Sequence, residues 1–133
     1  MVYFTINLMI HMTISCFFII FILRFAKVNK QRKNTRGISF LFPVLLSILF
    51  LFHAILNTFP KLADTVPVFT QVYQPPQSGT VESISFFNNS LVIDGTKYFY
   101  NPFAYKPEEG DIIQIYSTPY SRYAAKVLPV TDE

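Results

Sequence analysis

His11 and His53 are the only histidines among the 133 residues of this chain, and both sit inside long apolar stretches. An imidazole can donate and accept hydrogen bonds, carry a proton near neutral pH, or ligate a metal ion. The polar residues around the two histidines fall in helical register. Asn7, His11 and Ser15 follow at i, i+4 and i+8, which puts them on one face of a helix, and His53 and Asn57 form an i, i+4 pair with Ser47 further down. Such side chains are costly against hydrocarbon and face a protein partner or a cavity instead. Asn7, His11, Ser15, His53 and Asn57 are therefore candidate interhelical contacts. They could form hydrogen bonds between helices, at about 0.6–2 kcal/mol each. They could also form a proton or ion pathway, or a haem or copper site using His11 and His53. A pathway normally recruits an acidic residue, and neither apolar stretch contains one. The expectation is hydrogen bonding, with no metal and no cofactor. Asn7 and His53 are the expected pair, lying roughly 8 and 9 Å below the outer helix ends at 1.5 Å per residue, with His11 as the alternative to Asn7 because helix rotation is not fixed by the sequence.

The elements that must position these residues are two apolar runs, 2–23 and 38–59. Each is about as long as a helix needs to be to cross a hydrocarbon core of roughly 30 Å. The link at 24–37 holds Arg24, Lys27, Lys30, Arg32, Lys33 and Arg36 and no acid. Short basic loops stay in the cytoplasm, so these six residues are expected to meet anionic headgroups there. The N-terminus and everything after Phe59 are then expected outside. Every acidic residue of the chain follows Phe59, from Asp64 to Glu133. The net charge of +3 is thus the sum of a basic link and a mildly acidic tail. It gives no reason to expect a nucleic-acid partner.

From residue 60 to 133 the helical period gives way to short β-branched and aromatic runs between turn signals. Strands are expected at 66–73, 80–87, 90–94, 97–100, 111–117 and 123–128. Asn88-Asn89 suits a two-residue hairpin turn, and Asp94-Gly95 is a stronger signal of the same kind. Regularly spaced antiparallel strands in about seventy residues suggest a small β-barrel-like domain of OB-like topology. The fold class expected is an α+β membrane protein, a two-helix transmembrane hairpin (1–59) followed by an extracytoplasmic β domain (60–133).

The tail lacks His and Cys, which removes His-based acid–base work, Cys nucleophiles and nearly all zinc geometries from it. Glu108 and Glu109 beside Gly110-Asp111 read as a solvated loop without EF-hand spacing. Arg122, between Tyr120 and Tyr123, could hold an anionic group such as a phosphate or a partner carboxylate. Tyr120, Arg122 and Tyr123 are accordingly the candidate binding residues of the outer domain.

Gly79-Thr80-Val81, then Ile93-Asp94-Gly95-Thr96-Lys97-Tyr98, then Gly110-Asp111-Ile112-Ile113-Gln114-Ile115-Tyr116 with Pro119 form an ordered series. This order resembles the small exported β domain of uncharacterised bacterial, Gram-positive-like membrane proteins. There a G-x-V strand, a D-G-x-x-Y hairpin and a G-D-x-V-x-Y-x-P segment follow one or two membrane helices. The resemblance implies a cell-surface β domain and brings no catalytic residue with it. The function expected is non-enzymatic: a membrane-anchored protein whose outer domain binds or regulates another membrane or envelope component, as immunity and exclusion proteins do. The alternative is a small subunit of a transporter or channel, with the intramembrane polar residues lining a pathway. The partners implied are the lipid bilayer, a membrane or envelope protein and further copies of the chain in an oligomer.

Overall fold

The structure is a computed structural model that describes residues 1–31 and 37–130. Arg32, Lys33 and Arg36 of the basic link lie outside the described residues. The chain divides into two compact units: Ile6–Leu62, and Met1–Thr5 together with the chain from Ala63 onward.

The first unit is helical. Helix α1 spans Val2–Lys30, one and a half turns or more beyond the expected end at Leu23. Arg24, Lys27 and Lys30 are good helix formers, and cations are favoured at a helix C-terminus, so nothing in 24–30 stops the helix. The second apolar run opens with a 3-10 turn, Gly37–Leu41, and continues as α2, Phe42–His53, with Pro43 in its first turn, where a missing N–H costs nothing. Next comes a π-helical turn, Ala54–Thr58, and then α3, Phe59–Ala63. The π turn has a local cause. Pro60 cannot donate to the carbonyl four residues back, and the Phe59 N–H already reaches Ala54, five residues back. Both helical stretches, Val2–Lys30 and Gly37–Thr70, are long and apolar enough to cross a membrane. Stacked Phe25–Phe42 rings and the Phe18–Phe50 contact, at 5.4 and 6.4 Å between centroids, run the two stretches antiparallel.

The second unit is a small closed β-barrel carrying a short helix, α4, at Thr65–Thr70. The strands are β1 Gln77–Ile84, β2 Ser90–Ile93, β3 Thr96–Tyr100, β4 Ile112–Ser117 and β5 Tyr123–Pro129. They are ordered β1-β2-β3-β5-β4, and β4 returns to β1 to close the barrel. All pairings are antiparallel except β3 with β5, where Phe99 lies opposite Tyr123. Alternate residues point inward, and the core is Val81, Leu91, Ile93, Tyr98, Tyr100, Ile113, Ile115 and Ala124. A bulge between Val81 and Ser83 inserts one residue into β1, so Val81 and Ile84 both reach this core.

Two turn geometries decide what the barrel exposes. Asp94 and Gly95 both take positive φ, 48° and 68°, as a two-residue hairpin of matching twist requires. The Gly95 N–H donates to the Glu82 carboxylate at 3.1 and 3.2 Å. The β1–β2 turn departs from expectation. It is not a two-residue Asn88-Asn89 turn, because β1 ends at Ile84 and the Ser85 N–H pairs with the Ser90 carbonyl at 2.9 Å. Four residues, 86–89, form the loop, with Asn88 supplying the positive φ of 50°. The Ser85 hydroxyl stabilises it, accepting from the backbone N–H groups of Asn89 and Ser90 at 3.3 and 3.1 Å. Residues 86 and 87, expected within a strand, are therefore loop.

The expected strand at 66–73 is helix instead. Its β-branched composition suits a strand, but Pro67 falls in the first turn of α4, and Val68 inserts as a buried anchor. Gln71 then ends the helix in the left-handed conformation at φ 57°.

Candidate functional site

Within the helical unit the structure brings His11 and His53 together, with ring centroids 5.2 Å apart. His53 Nε2 donates to the His11 carbonyl oxygen at 3.4 Å, since a carbonyl can only accept. His11 Nδ1 is buried and makes no hydrogen bond among the described residues. One turn further along α1, the Ser15 and Thr58 hydroxyls share a buried hydrogen bond of 3.1 Å. Asn7 and Asn57 are half-buried, and neither side chain forms a hydrogen bond among the described residues. The expected pair of Asn7 with His53 is thus replaced by His11 with His53. The π turn explains why Thr58 rather than Asn57 meets Ser15. At i→i+5 pitch, the residue below His53 on the same face is five positions on, not four. No motif in the sequence signals that shift except Pro60 beyond it.

Arg24, Lys27 and Lys30 are exposed along the last turns of α1. Arg32, Lys33 and Arg36 are the remaining expected headgroup contacts and fall outside the described residues.

On the barrel, the loop between β4 and β5 carries the expected binding residues, and they divide. Tyr120 and Arg122 are exposed, and Arg122 sits at φ 53° with its carbonyl accepting from the Phe99 N–H at 3.0 Å. Tyr123 is buried, its ring 5.2 Å from that of Phe4, and burial raises its hydroxyl pKa. It is a packing residue, and its ring is closed to an outside ligand. The loop is held from within by Asp64, which the sequence did not mark. The Asp64 side chain is fully buried, and it accepts hydrogen bonds from the Tyr120 N–H at 3.1 Å and from the Ser121 N–H and hydroxyl at 2.5 Å each. The Thr118 hydroxyl adds a further bond, accepting from the Tyr123 N–H at 2.9 Å.

A neighbouring group of loops has a different surface, beside the end of β3 where Phe99 lies opposite Tyr123. The β1–β2 loop, the start of the β3–β4 loop and the 108–111 turn meet there: Tyr100 N–H donates to the Asn89 carbonyl at 3.2 Å, and Ile84 N–H donates to Glu109 at 3.3 Å. Phe86, Phe87 and Phe103 project from this end at 94, 77 and 88 % exposure, with Phe86 and Phe87 edge to face at 5.3 Å. Glu109 sits beside Ile84, and the Asp111 carboxylate accepts from the Glu108 N–H at 2.8 Å in the same turn. Tyr105, beside these acids, has its hydroxyl pKa raised by burial and then by the Asp111 and Glu108 carboxylates. The sequence signal that could have revealed the tip is Phe-Phe directly before Asn-Asn, where continued alternation would have needed a strand.

No protein family, curated protein or solved structure matches this chain. The geometry alone therefore carries the functional reading.

Proposed function

We propose that this chain is a non-enzymatic, membrane-anchored protein that displays its barrel on the outer face to bind or regulate another membrane or envelope component. The observation that carries this reading is the division into two units of opposite surface character. The helical unit exposes Ile, Leu, Phe and Val side chains along both long helices, which suits hydrocarbon and not water. The barrel instead has a closed apolar core of its own. Its strand order, with β4 closing onto β1, is OB-like. The grouping of Met1–Thr5 with the barrel supports a topology in which the N-terminus and the tail share one side of the bilayer. The basic residues from Arg24 onward then mark the cytoplasmic side. A reporter fused at the C-terminus should be active only outside the cytoplasm. A cysteine in place of Gln31, with Cys16→Ser, should label only after the inner face is opened. Labelling of that cysteine from outside intact cells would overturn the orientation.

The alternative, a small subunit of a channel or transporter, has one observation in its favour. His11 Nδ1 is buried without a partner beside a π-helical turn, and both features are frequent at functional sites. Replacing His11 and His53 with apolar residues separates the readings. Loss of the cellular phenotype in an inserted, folded protein favours the pathway. Retention, together with loss on removing the barrel, favours display.

A further inference from the structure

We propose that the loops carrying Phe86, Phe87 and Phe103 seat the barrel on the bilayer, with the three rings entering the headgroup boundary of the phospholipid. This contact rests on the membrane-anchored reading above and adds to it a second, peripheral hold on lipid.

The three rings are 94, 77 and 88 % exposed, and polar groups hold the backbone beneath them. The Ser85 hydroxyl accepts from the Asn89 and Ser90 N–H groups and donates to the Asn89 side chain at 2.9 Å. In the turn after β3, the Asn101 side chain accepts from the Phe103 N–H at 3.1 Å, and the Asn101 carbonyl accepts from the Ala104 N–H at 3.2 Å. Both loops thus keep their shape with the rings outside the core, where they add nothing to the barrel's stability in water. Exposed apolar side chains grouped in this way mark a contact with protein or with membrane.

Placement within the barrel unit selects the membrane. The Tyr100 N–H donates to the Asn89 carbonyl and the Phe99 N–H to the Arg122 carbonyl. The β1–β2 loop, the turn after β3 and the β4–β5 loop therefore follow one another around the strand ends. The β4–β5 loop is where both membrane-length stretches of the chain are fastened to this unit: Asp64 holds Tyr120 and Ser121, and Phe4 packs on Tyr123. A span needs about twenty residues, and counted back from Arg24 these begin at Phe4. In the anchored chain Phe4 is accordingly at the outer headgroups, and Tyr123 is there with it. The β1–β2 loop is two strand spacings from Tyr123, across β3 and β2, or roughly 10 Å. The headgroup boundary in which amphipathic surfaces settle is itself about 5–10 Å deep. Charge does not oppose the contact. Lys97, with its ammonium 5.5 Å from the centre of the Phe99 ring, and Arg122 stand at this strand end, and Glu109 sits beside Ile84. A surface of both signs requires no anionic lipid, so the rings carry the attraction and zwitterionic phospholipid suffices.

The chain contains no tryptophan, so a single one introduced reports its own surroundings. The test uses the purified full-length chain in phosphatidylcholine vesicles, as F86W or F103W at the aromatic loops. T80W and K126W mark exposed positions on the barrel wall, and F52W marks the helical stretch. In lipid brominated near the headgroup end of its chains, emission of F86W and F103W should fall by roughly half or more. Emission of T80W and K126W should be unchanged by bromine and quenched by aqueous iodide. Adding F87S and F103S to F86W should weaken its quenching by lipid at least about twofold, because binding scales with the apolar area buried. Protease resistance of the barrel should be the same in all variants, since every changed residue of the barrel is exposed. Tip emission open to iodide and indifferent to bromine would overturn the proposal. So would tip emission shielded from both quenchers, which would mean cover by a second copy, or equal lipid quenching at tip and wall. In each of these cases quenching of F52W by lipid brominated deep in its chains leaves the anchored reading standing. Failure of F52W to respond would sink the anchor and the seat together.

Discussion

Replacing Asp64 should release the loop between β4 and β5 and remove much of the barrel's stability. The carboxylate accepts three hydrogen bonds, from the Tyr120 N–H, the Ser121 N–H and the Ser121 hydroxyl, and is fully buried. Hydrogen bonds to a charged group contribute about 1.5–3 kcal/mol each, and an N–H left unpaired in the interior costs about 1–3 kcal/mol. Tyr120 is exposed and Ser121 half-buried, so water can reach the Tyr120 N–H, and the hydroxyl can turn elsewhere. That leaves the Ser121 N–H as the main stranded group, and Asp64→Ala should cost about 3–4 kcal/mol in all. For a domain of this size each kcal/mol moves the midpoint by about 4–8 °C. The barrel of D64A should therefore melt at least about 12 °C below the parent chain. Asp64→Asn keeps one acceptor oxygen and should fall between the two. The assay is near-ultraviolet circular dichroism of the full chain in detergent, which follows the barrel tyrosines, with amide exchange at Tyr120 and Ser121 as the local readout. A midpoint within about 2 °C of the parent, or exchange raised equally around the barrel, would refute the reasoning, because the carboxylate would then not be what holds the loop.

Gly79→Ala should destabilise the barrel by about 1–3 kcal/mol, since a Cβ there would collide with the Ile93 side chain and lie 2.9 Å from Asp94 Oδ2. Gly95→Ala, by contrast, meets open space and should lose only about 1–2 kcal/mol through its φ of 68°. Chemical denaturation of both variants checks the order. In a Cys16→Ser background, cysteines replacing His11 and His53 should crosslink in membranes more readily than a pair replacing Asn7 and His53. Ser15→Val combined with Thr58→Val should cost less than the sum of the single changes by about 0.6 kcal/mol, read from a double-mutant cycle. Burial raises the pKa of Tyr100 and Tyr123 above the ordinary 10.0, so the fold favours the neutral phenol. The stability this contributes is complete below pH 10.0 and is lost as pH rises from there through the folded values. Tyrosinate absorbance and barrel dichroism should change together above that point, and Tyr100→Phe should flatten the alkaline loss.

The strands from Ser90 onward were legible because each is a short β-branched or aromatic run ended by a turn residue with a physical reason to be there. Asp94-Gly95 is the strongest case, as only residues tolerant of positive φ complete that hairpin. What escaped the sequence were features fixed by long-range partners. Residues 65–70 have strand composition, but a buried Val68 and a proline in the first turn make them helix. Phe86 continues the alternation of Ile84, yet the Ser85 hydroxyl captures the backbone first and ends the strand. Asp64 looks like a solvated acid until the Tyr120 and Ser121 donors are brought to it from the other side of the domain. In the helices the i, i+4 spacing correctly marked a shared polar face. Rotation was not readable, and the π turn moved the contact from Asn57 to Thr58.

The packing of Phe4 on Tyr123 has a consequence for how the protein is made. These residues lie far apart in sequence, yet both belong to the barrel unit. The strands and the core all come from the tail, and Phe4 adds one covering contact on Tyr123. That contact forms only once β5 is in place and Phe4 has met Tyr123. Such a non-local contact is slow to form compared with a helix, so the helices form before Phe4 closes on Tyr123. Phe4→Ala should therefore expose the Tyr123 ring and slow the last step of folding while leaving the barrel core in place.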